Sequence, residues 1–457
     1  MKQQQHVLIA GAGLAGSLLA IYLAKQGFKV SLFERRPDMR TVDISAGRSI
    51  NLALSTRGIH ALRETGVLDE IMEYALPMKG RLMHSVGSEL TFQPYGRTED
   101  EVIYSISRGG LNISLMNAAE GYENVSLYFN KRGTDVDPER GELQVTDEVT
   151  GAVETHSGDV IIGTDGAGSA VRSAYFSKLR FNYSQDYLEH GYKELTIPPA
   201  EGGGFRIRED VLHIWPRHSY MLIALPNADG SFTCTLFFPY EGEASFAALD
   251  NEKKVTAFFK EQFPDAVPHM PTLAKDFFDN PTGSLATVRC SPWDMGGKAL
   301  ILGDASHAIV PFFGQGMNCA FEDCTVLNDL INEHGSDWAK VFPLFTESRK
   351  PNADAIADMA LDNFIEMRDK TADEAFLLRK ELEKKLEERF PKRFVPKYSM
   401  VTFHRIPYAI AQQRGKIQNT ILEDLADGID EADDVDWNRA EMLITNRLTE
   451  LQDDIIQ

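Results

Sequence analysis

A chain of 457 residues, 43% hydrophobic and 25% charged, has the length for two or three domains and the composition of an ordinary globular protein. Its formal net charge of −21 argues against a general binder of nucleic acid or anionic membrane, since either needs a basic surface. Cys234, Cys290, Cys319 and Cys324 show no paired spacing and read as reduced thiols of a cytoplasmic protein, and no histidines fall in a metal-ligand spacing, so no metal is expected.

The chain opens with MKQQQHVLIAGAGLAGSLLAIYLAKQG, whose lysine and apolar run mimic a signal peptide. The internal pattern contradicts that reading. HVLIA is a short strand, a glycine-rich turn follows, then a helix-period stretch, then a second strand, KVSLFE, ending in Glu34. Residues 5–36 therefore make a βαβ unit. No other stretch approaches transmembrane length, which predicts a soluble protein without a membrane anchor. AGRSINLALSTRGIHALRETG is a loop entering a helix, and RLMHSVGSELTFQPY alternates as a hairpin with Gly87 at its turn. SRGGLNISLMNAAEG is a helix, YENVSLYFN a strand, and DVIIGTDGAGSAVRSAY repeats the strand, glycine turn and helix. From about Tyr192 to Pro239 the text turns to strands joined at Asp229-Gly230, as in an antiparallel sheet. ALILGDASHAIVPFFGQGMNCAFEDCTVLNDLI returns to strand, loop and helix. After Trp338 the chain is mainly helical, and EDLADGIDEADDVD reads as a solvated, mobile acidic tail.

The expected architecture is α/β. A discontinuous Rossmann-like domain takes residues 1–75, 100–180 and 285–335, an antiparallel-sheet substrate domain takes 76–99 and 181–284, and a helical region follows from 336 to 457. In GAGLAG, Gly11, Gly13 and Gly16 match GxGxxG: the first permits the tight turn, the second a close approach of pyrophosphate, the third tight helix–strand packing. The helix behind them offers free N–H groups to phosphates, and Glu34 suits an adenosine ribose while repelling a 2′-phosphate. NAD and FAD both satisfy this fingerprint. The second glycine stretch, ILGDASHAIVPFFGQGMN, favours FAD, because ribitol and isoalloxazine extend well past the adenosine half. Asp304 can accept from ribitol hydroxyls, Gly314 and Gly316 let the chain run under a flat ring, and Met317 and Asn318 open a helix toward its pyrimidine edge. Asp165, in GTDGAGSAVR, reads as a turn shared by the flavin and nicotinamide paths, or as a plain helix start. His307 reads as packed beside Asp304.

These three motifs in this order resemble the flavoprotein aromatic hydroxylases, the single-component class A monooxygenases. GRSINLALSTRG, YKELTIPP, HIWPRHSYMLIALPN, SFTCTLFFP, HAIVPFFGQGMN, NFIEMRD and MVTFHRIPY narrow the likeness to the kynurenine-hydroxylating branch, from about His6 to about Gln413. The resemblance implies a GR2-type FAD domain, NADPH as reductant, O₂ as oxidant reacting as a flavin hydroperoxide, and L-kynurenine as substrate. It implies flavin contacts at Ala15, Glu34, Arg35, Arg36, Ala53, Arg108, Asp304, Met317 and Asn318, and substrate contacts at Arg81, Tyr95, Asn363 and Tyr398. Those four types suit the ligand: an arginine with a tyrosine hydroxyl can grip an α-carboxylate, while Phe312 and Phe238 offer apolar walls for the ring. No protein nucleophile or general base is expected, since the cofactor carries the chemistry. The acidic C-terminal segment lacks the apolar anchor of animal relatives, so membrane attachment is not carried over, and the protein is expected as a monomer or homodimer. Three alternatives stay open: a class A hydroxylase for another aromatic acid such as a hydroxybenzoate, a NAD dehydrogenase, and an escort protein that uses the flavin fold without redox activity.

Overall fold

The computed structural model describes residues 4–41, 51–177, 180–367 and 374–452. The first residues of GRSINLALSTRG and the last of NFIEMRD lie outside them. HVLIA forms the strand His6–Ala10 at the middle of a six-stranded sheet whose order is Asp294–Met295, Ala299–Ile301, Val160–Gly163, His6–Ala10, Lys29–Phe33, Val125–Tyr128. All its pairings are parallel except that of the short edge strand Asp294–Met295. A central parallel strand is covered on both faces, which is why Val7, Leu8 and Ile9 are all apolar and fully buried. Helix Leu14–Lys25 covers one face together with Gly316–His334. A three-stranded sheet of Lys131–Asp137, Glu142–Asp147 and Val153–Ser157 lies beside it. None of the sequence patterns marks that sheet, because its strands are largely polar.

The second large sheet runs Gly283–Ser291, Asn182–Ile197, Phe232–Pro239, Tyr220–Pro226, Leu212–Arg217, Gly80–His84, Leu90–Pro94. It is antiparallel except at one seam, where Gly80–His84 runs parallel to Leu212–Arg217. The sheet continues to Ser291, past residue 284, whereas Leu76–Met78 pairs instead in a small sheet with Leu52–Leu54 through Ile103–Ile106. One face of the large sheet buries Trp215, Phe232 and Phe238 with Phe259 and Phe263 of the segment around helix Glu252–Gln262. The opposite face carries Met83, Ile214, Met221 and Phe237, which meet Phe312 and the helix Trp338–Ile365.

The C-terminal helices Glu374–Arg389, Tyr408–Ala426 and Trp437–Arg447 correct the expectation of a mobile tail. Leu425, Ala432, Val435, Ala440 and Ile444 are buried in a small core with Leu382, Leu386 and Phe394. The acids of EDLADGIDEADDVD stay on the outer side of that core, so the segment is charged and packed at once. No helix among the described residues is long and apolar enough to cross a membrane.

Candidate functional site

The GAGLAG turn is built as its spacing demands. Gly11 has φ +99°, and a Cβ there would stand 2.6 Å from the Thr164 carbonyl oxygen; a Cβ on Gly16 would stand 2.0 Å from that of Gly11. Gly16 therefore packs strand against helix and does not itself line the cavity described below. Gly13 has nothing within 4 Å of its Cβ position. It caps helix Leu14–Lys25 without a side-chain acceptor, and the first turn holds no acid. The unpaired N–H groups of that turn, and the positive end of the helix dipole, are left for an anion.

A cavity of about 600 Å³ runs past this turn and on into the space between the two sheets. Gly11, Gly13, Ala15, Glu34, Arg35 and Arg36 line its first part, and Ala53, Arg108, Asp165, Asp304, Gly316 and Met317 its middle. Glu34 is oriented by its neighbours: one oxygen accepts from the Ala12 N–H at 3.0 Å, the other from Arg36 N–H and Nε at 3.0 and 2.7 Å. Asp165 accepts from the Ser169 hydroxyl at 2.5 Å and the Ala170 N–H at 2.7 Å, capping the short helix Ala170–Ser173, and burial pushes its carboxyl upward. Asp304 opens the short helix Asp304–His307 and is exposed toward the cavity. Gly314, at φ +69°, lets Ala53 approach, since a Cβ would stand 3.2 Å from that of Ala53. Lys131 and Arg132 also line the cavity, ion-paired to Asp147 at 2.9 Å and Glu148 at 2.6 Å respectively. With Arg35, Arg36 and Arg108 they make a locally cationic wall on a strongly acidic chain.

Asn318 is a correction. It is fully buried and does not line the cavity: its amide donates to the Ala53 and Gly314 carbonyls at 2.8 and 2.9 Å, and its oxygen accepts from the Ser55 N–H at 3.0 Å. It fastens the two turns that face the cofactor path.

At the far end, the Arg81 guanidinium lies 5.5 Å from the Tyr95 ring centre and 5.0 Å from that of Tyr398, and the two rings stack at 5.5 Å. Arg81 Nε is buried without a hydrogen-bond partner, and the Glu366 carboxylate acts on the guanidinium Coulombically. Burial pushes both tyrosine hydroxyls upward, Tyr95 far above its usual range, so they stay neutral donors. A guanidinium with a buried, unpaired Nε between two phenols is chemically suited to a carboxylate. Phe312 lines the cavity, stacked on Phe364 at 4.1 Å.

Asn363 does not reach the cavity; its amide donates to the Phe312 carbonyl at 2.6 Å and so positions that ring from behind. Phe238 is also a correction. Side chains alternate along the strand Phe232–Pro239, and Phe238 points to the opposite face, against Tyr220 and Phe258 at 5.0 and 5.2 Å. Its neighbour Phe237 lines the cavity and lies 4.9 Å from Phe312. An aromatic pair in a strand signals one wall residue without saying which.

His307 sits beside Asp323, not Asp304, with Nε2 2.5 Å from the carboxylate. Asp323 belongs to a buried charge network that no sequence pattern announced. Arg349 bonds Glu322 and Asp323 at 2.7 Å each, and Arg57 bonds Glu322 at 2.9 Å. Burial alone would raise both carboxyls; the facing guanidinium groups and His307 hold them below their usual range. Asp323 also accepts from the Gly303 N–H at 3.0 Å. Arg57 donates to the carbonyls of Val401, His404 and Ile406 and lies 3.9 Å over the Tyr408 ring. The network thus ties the Asp304 turn to the segment that follows Tyr398. His307, Cys319 and Asp323 bring ligand atoms within 4.8 Å of one another, but Arg349 already supplies the positive charge there.

The donor set fits an FAD: an uncapped helix start for pyrophosphate, Glu34 where a ribose would lie, and Asp304 open beside a glycine-lined turn. Residues 4–360 match the family of FAD binding domains. The kynurenine 3-monooxygenase of Myxococcus xanthus (strain DK1622) is 53% identical over 443 residues, 97% of this chain and 95% of its own length. That of Flavobacterium psychrophilum is 48% identical over 425 residues, 93% and 94% of the two chains. The chain belongs to the kynurenine 3-monooxygenase family. Among solved structures, 2-methyl-3-hydroxypyridine-5-carboxylic acid oxygenase in its tetrameric form superposes with a TM-score of 0.66 at 22% identity, over 82% of this chain and 96% of that one, a likeness of fold. The FAD binding match stops at residue 360, so Tyr398 and the helices around it lie in the part that the kynurenine 3-monooxygenase relatives share and the FAD domain does not include.

Proposed function

We propose that this protein is an NADPH- and O₂-consuming flavoprotein monooxygenase that hydroxylates L-kynurenine to 3-hydroxy-L-kynurenine. The observation that carries the reading is one continuous cavity with a dinucleotide-type turn at one end and the Arg81–Tyr95–Tyr398 clamp at the other. The parallel-sheet layer takes the cofactor; the large antiparallel sheet and the C-terminal helices take the substrate.

The Leu14 and Ala15 end of the first helix would hold the pyrophosphate, with Glu34 on the adenosine ribose, Asp304 on ribitol, and Ala53 and Met317 against the ring. Bound FAD would supply the redox chemistry, accepting reducing equivalents from NADPH and activating O₂. The protein's own part is positional. Arg81 with the Tyr95 and Tyr398 hydroxyls grips the α-carboxylate, and Phe237, Phe312 and Met367 wall the aniline ring and exclude water. The cationic wall of Arg35, Arg36 and Arg108 favours the phosphates of both nucleotides. We place the enzyme in the cytoplasm as a monomer or homodimer, in keeping with its scattered, unpaired cysteines.

The test is product analysis after incubating the FAD-loaded protein with NADPH, O₂ and L-kynurenine. The expected product is 3-hydroxy-L-kynurenine formed with NADPH consumption. NADPH oxidation stimulated by a hydroxybenzoate and not by kynurenine would reassign the substrate, and a colourless protein that holds no flavin would overturn the reading altogether.

A further inference from the structure

Arg81 stands on the penultimate strand of the substrate sheet. Gly80–His84 joins the rest only through its parallel seam with Leu212–Arg217, paired over Leu212↔Arg81, His213↔Leu82 and Ile214↔Met83. Its other neighbour, Leu90–Pro94, is the exposed edge of the sheet. A slip of one residue along the seam would exchange the faces of the strand and carry Arg81 out of the cavity. Among the described residues no carboxylate lies within ion-pair distance of Arg81, though Glu366 acts on it Coulombically. Something else must pin the register.

Behind the strand, on the face away from the cavity, His84 Nδ1 lies 2.5 Å from Asp265 and its Nε2 lies 2.9 Å from His213 Nδ1. The hydrogen positions follow from the partners. His213 Nε2 faces the Arg208 carbonyl at 2.7 Å, so that nitrogen donates. Burial lowers the His213 pKa to about 4, so the ring is neutral and its Nδ1 accepts. His84 Nε2 must then donate. Asp265 accepts from Trp215 Nε1 at 2.9 Å, and although burial alone would raise its carboxyl, the bonds from His84 and Trp215 hold it below the usual range. Asp265 closes the bridge on the Nδ1 side of His84, whose ring stacks 4.1 Å from Trp215. The remaining charged groups nearby are Arg217, which donates to the His84 carbonyl at 2.9 Å, Arg208 beside His213, and His269 on the Asp265 side.

We infer that His84, bridging Asp265 and His213 through both ring nitrogens, is a positioning residue that fixes the strand register and thereby aims Arg81 at the substrate carboxylate. The bridge spans the seam from Gly80–His84 to Leu212–Arg217 and anchors both to the loop after helix Glu252–Gln262. It touches neither substrate nor cofactor. The inference rests on Arg81 as the carboxylate clamp of the proposed reaction.

The experiment compares wild-type holoenzyme with His84→Phe and Asp265→Asn, using L-kynurenine and kynuramine, which keeps ring, ketone and amine but lacks the carboxylate. In His84→Phe the KM for kynurenine should rise about tenfold, with kcat and bound FAD changed less than about twofold and the affinity for kynuramine unchanged. Asp265→Asn should stay within about twofold of wild type in KM, because an asparagine can still accept from Trp215 and hydrogen-bond His84 Nδ1, keeping the bridge to His213. Equal weakening of kynurenine and kynuramine, or an unchanged kynurenine KM, overturns the inference. Should His84→Phe not fold, ¹⁵N-histidine spectra of the wild-type holoenzyme decide: a scalar coupling across the His84 Nε2–His213 Nδ1 hydrogen bond supports the bridge, and its absence overturns it. Absence of kynurenine turnover in the wild type would sink the functional reading as well, a result distinct from normal turnover with an indifferent His84.

Discussion

Gly11, Gly13 and Gly16 at one end of the cavity and Arg81, Tyr95 and Tyr398 at the other solve recognition by different means. The dinucleotide end is made of backbone: a turn that no side chain could occupy, and helix N–H groups left unpaired. Its parts are contiguous in the chain. The carboxylate end is made of side chains brought from a strand, a loop and a late helix, with its ring wall fixed from behind by Asn363. Backbone recognition leaves a local pattern of glycines, whereas side-chain recognition depends on which distant elements fold together.

The largest effect should come from attacking the backbone end. Gly11→Val places a branched side chain where φ is +99° and the Thr164 carbonyl is already too close, so the turn cannot form. Flavin absorbance per protein should fall to near zero, with loss of soluble protein. Gly13→Ala separates fold from ligand: its Cβ meets nothing in the protein, so thermal stability should hold while FAD affinity drops about tenfold or more. A Gly13→Ala enzyme with wild-type flavin content would show that phosphate does not approach this turn.

The buried network joins the two ends, and its rupture should be felt at both. Arg349→Met leaves Glu322 and Asp323 facing only Arg57 and His307 in a dry interior. Removing one partner of a buried pair costs about 3–5 kcal/mol, so denaturant unfolding should shift by that order, with flavin retention and kynurenine binding weakened together. Loss of one without the other would mean that the ends are mechanically independent.

Arg81→Ala should act on one end alone. A hydrogen bond to a charged group contributes about 1.5–3 kcal/mol, so kynurenine affinity should fall roughly 10- to 100-fold while bound FAD is unchanged. Equilibrium titration of the holoenzyme checks this, and normal affinity would remove Arg81 from the substrate site.

These contrasts explain what could be read in advance. The α/β class, the parallel βαβ start and the late glycine turn were legible because each is a short contiguous pattern of strand, glycine and helix. Glu34, Asp304 and Met317 follow from position within those patterns, and they line the cavity. The substrate residues came from likeness to a family and not from local pattern. Phe238, named as a ring wall, lies on the opposite face, because strand alternation has no absolute phase in sequence. Asn318 and Asn363 were expected to touch flavin and substrate, yet their amides hold backbone carbonyls. Lys131, Arg132 and the Arg57–Glu322–Arg349 network escaped notice, since their partners lie far along the chain and surface charge looks the same as buried charge in a sequence. The acidic tail misled for the same reason: its apolar residues are sparse, yet they are enough for a small core.

The smallest effect should lie at the outer rim of the carboxylate end, where support is titratable. Arg97, in the loop after Tyr95, meets Glu387 of helix Glu374–Arg389 at 3.3 Å. Burial raises the Glu387 pKa from 4.5 to about 7 despite Arg97, with Glu101, Glu383 and Glu388 adding to the rise. Below pH 4.5 the group is protonated folded and unfolded alike, so it contributes no pH dependence. Between about 4.5 and 7 the unfolded chain releases this proton and the folded chain keeps it, so stability falls as pH rises, and the loss is complete above about 7. Glu387→Gln should remove that decline: thermal unfolding of variant and wild type should diverge across this window, the variant melting a few degrees higher at pH 8, with bound FAD equal in both. A change in flavin content would show that the rim and the dinucleotide turn are coupled after all, and parallel pH profiles of the two proteins would mean that Glu387 is ionised in its folded site.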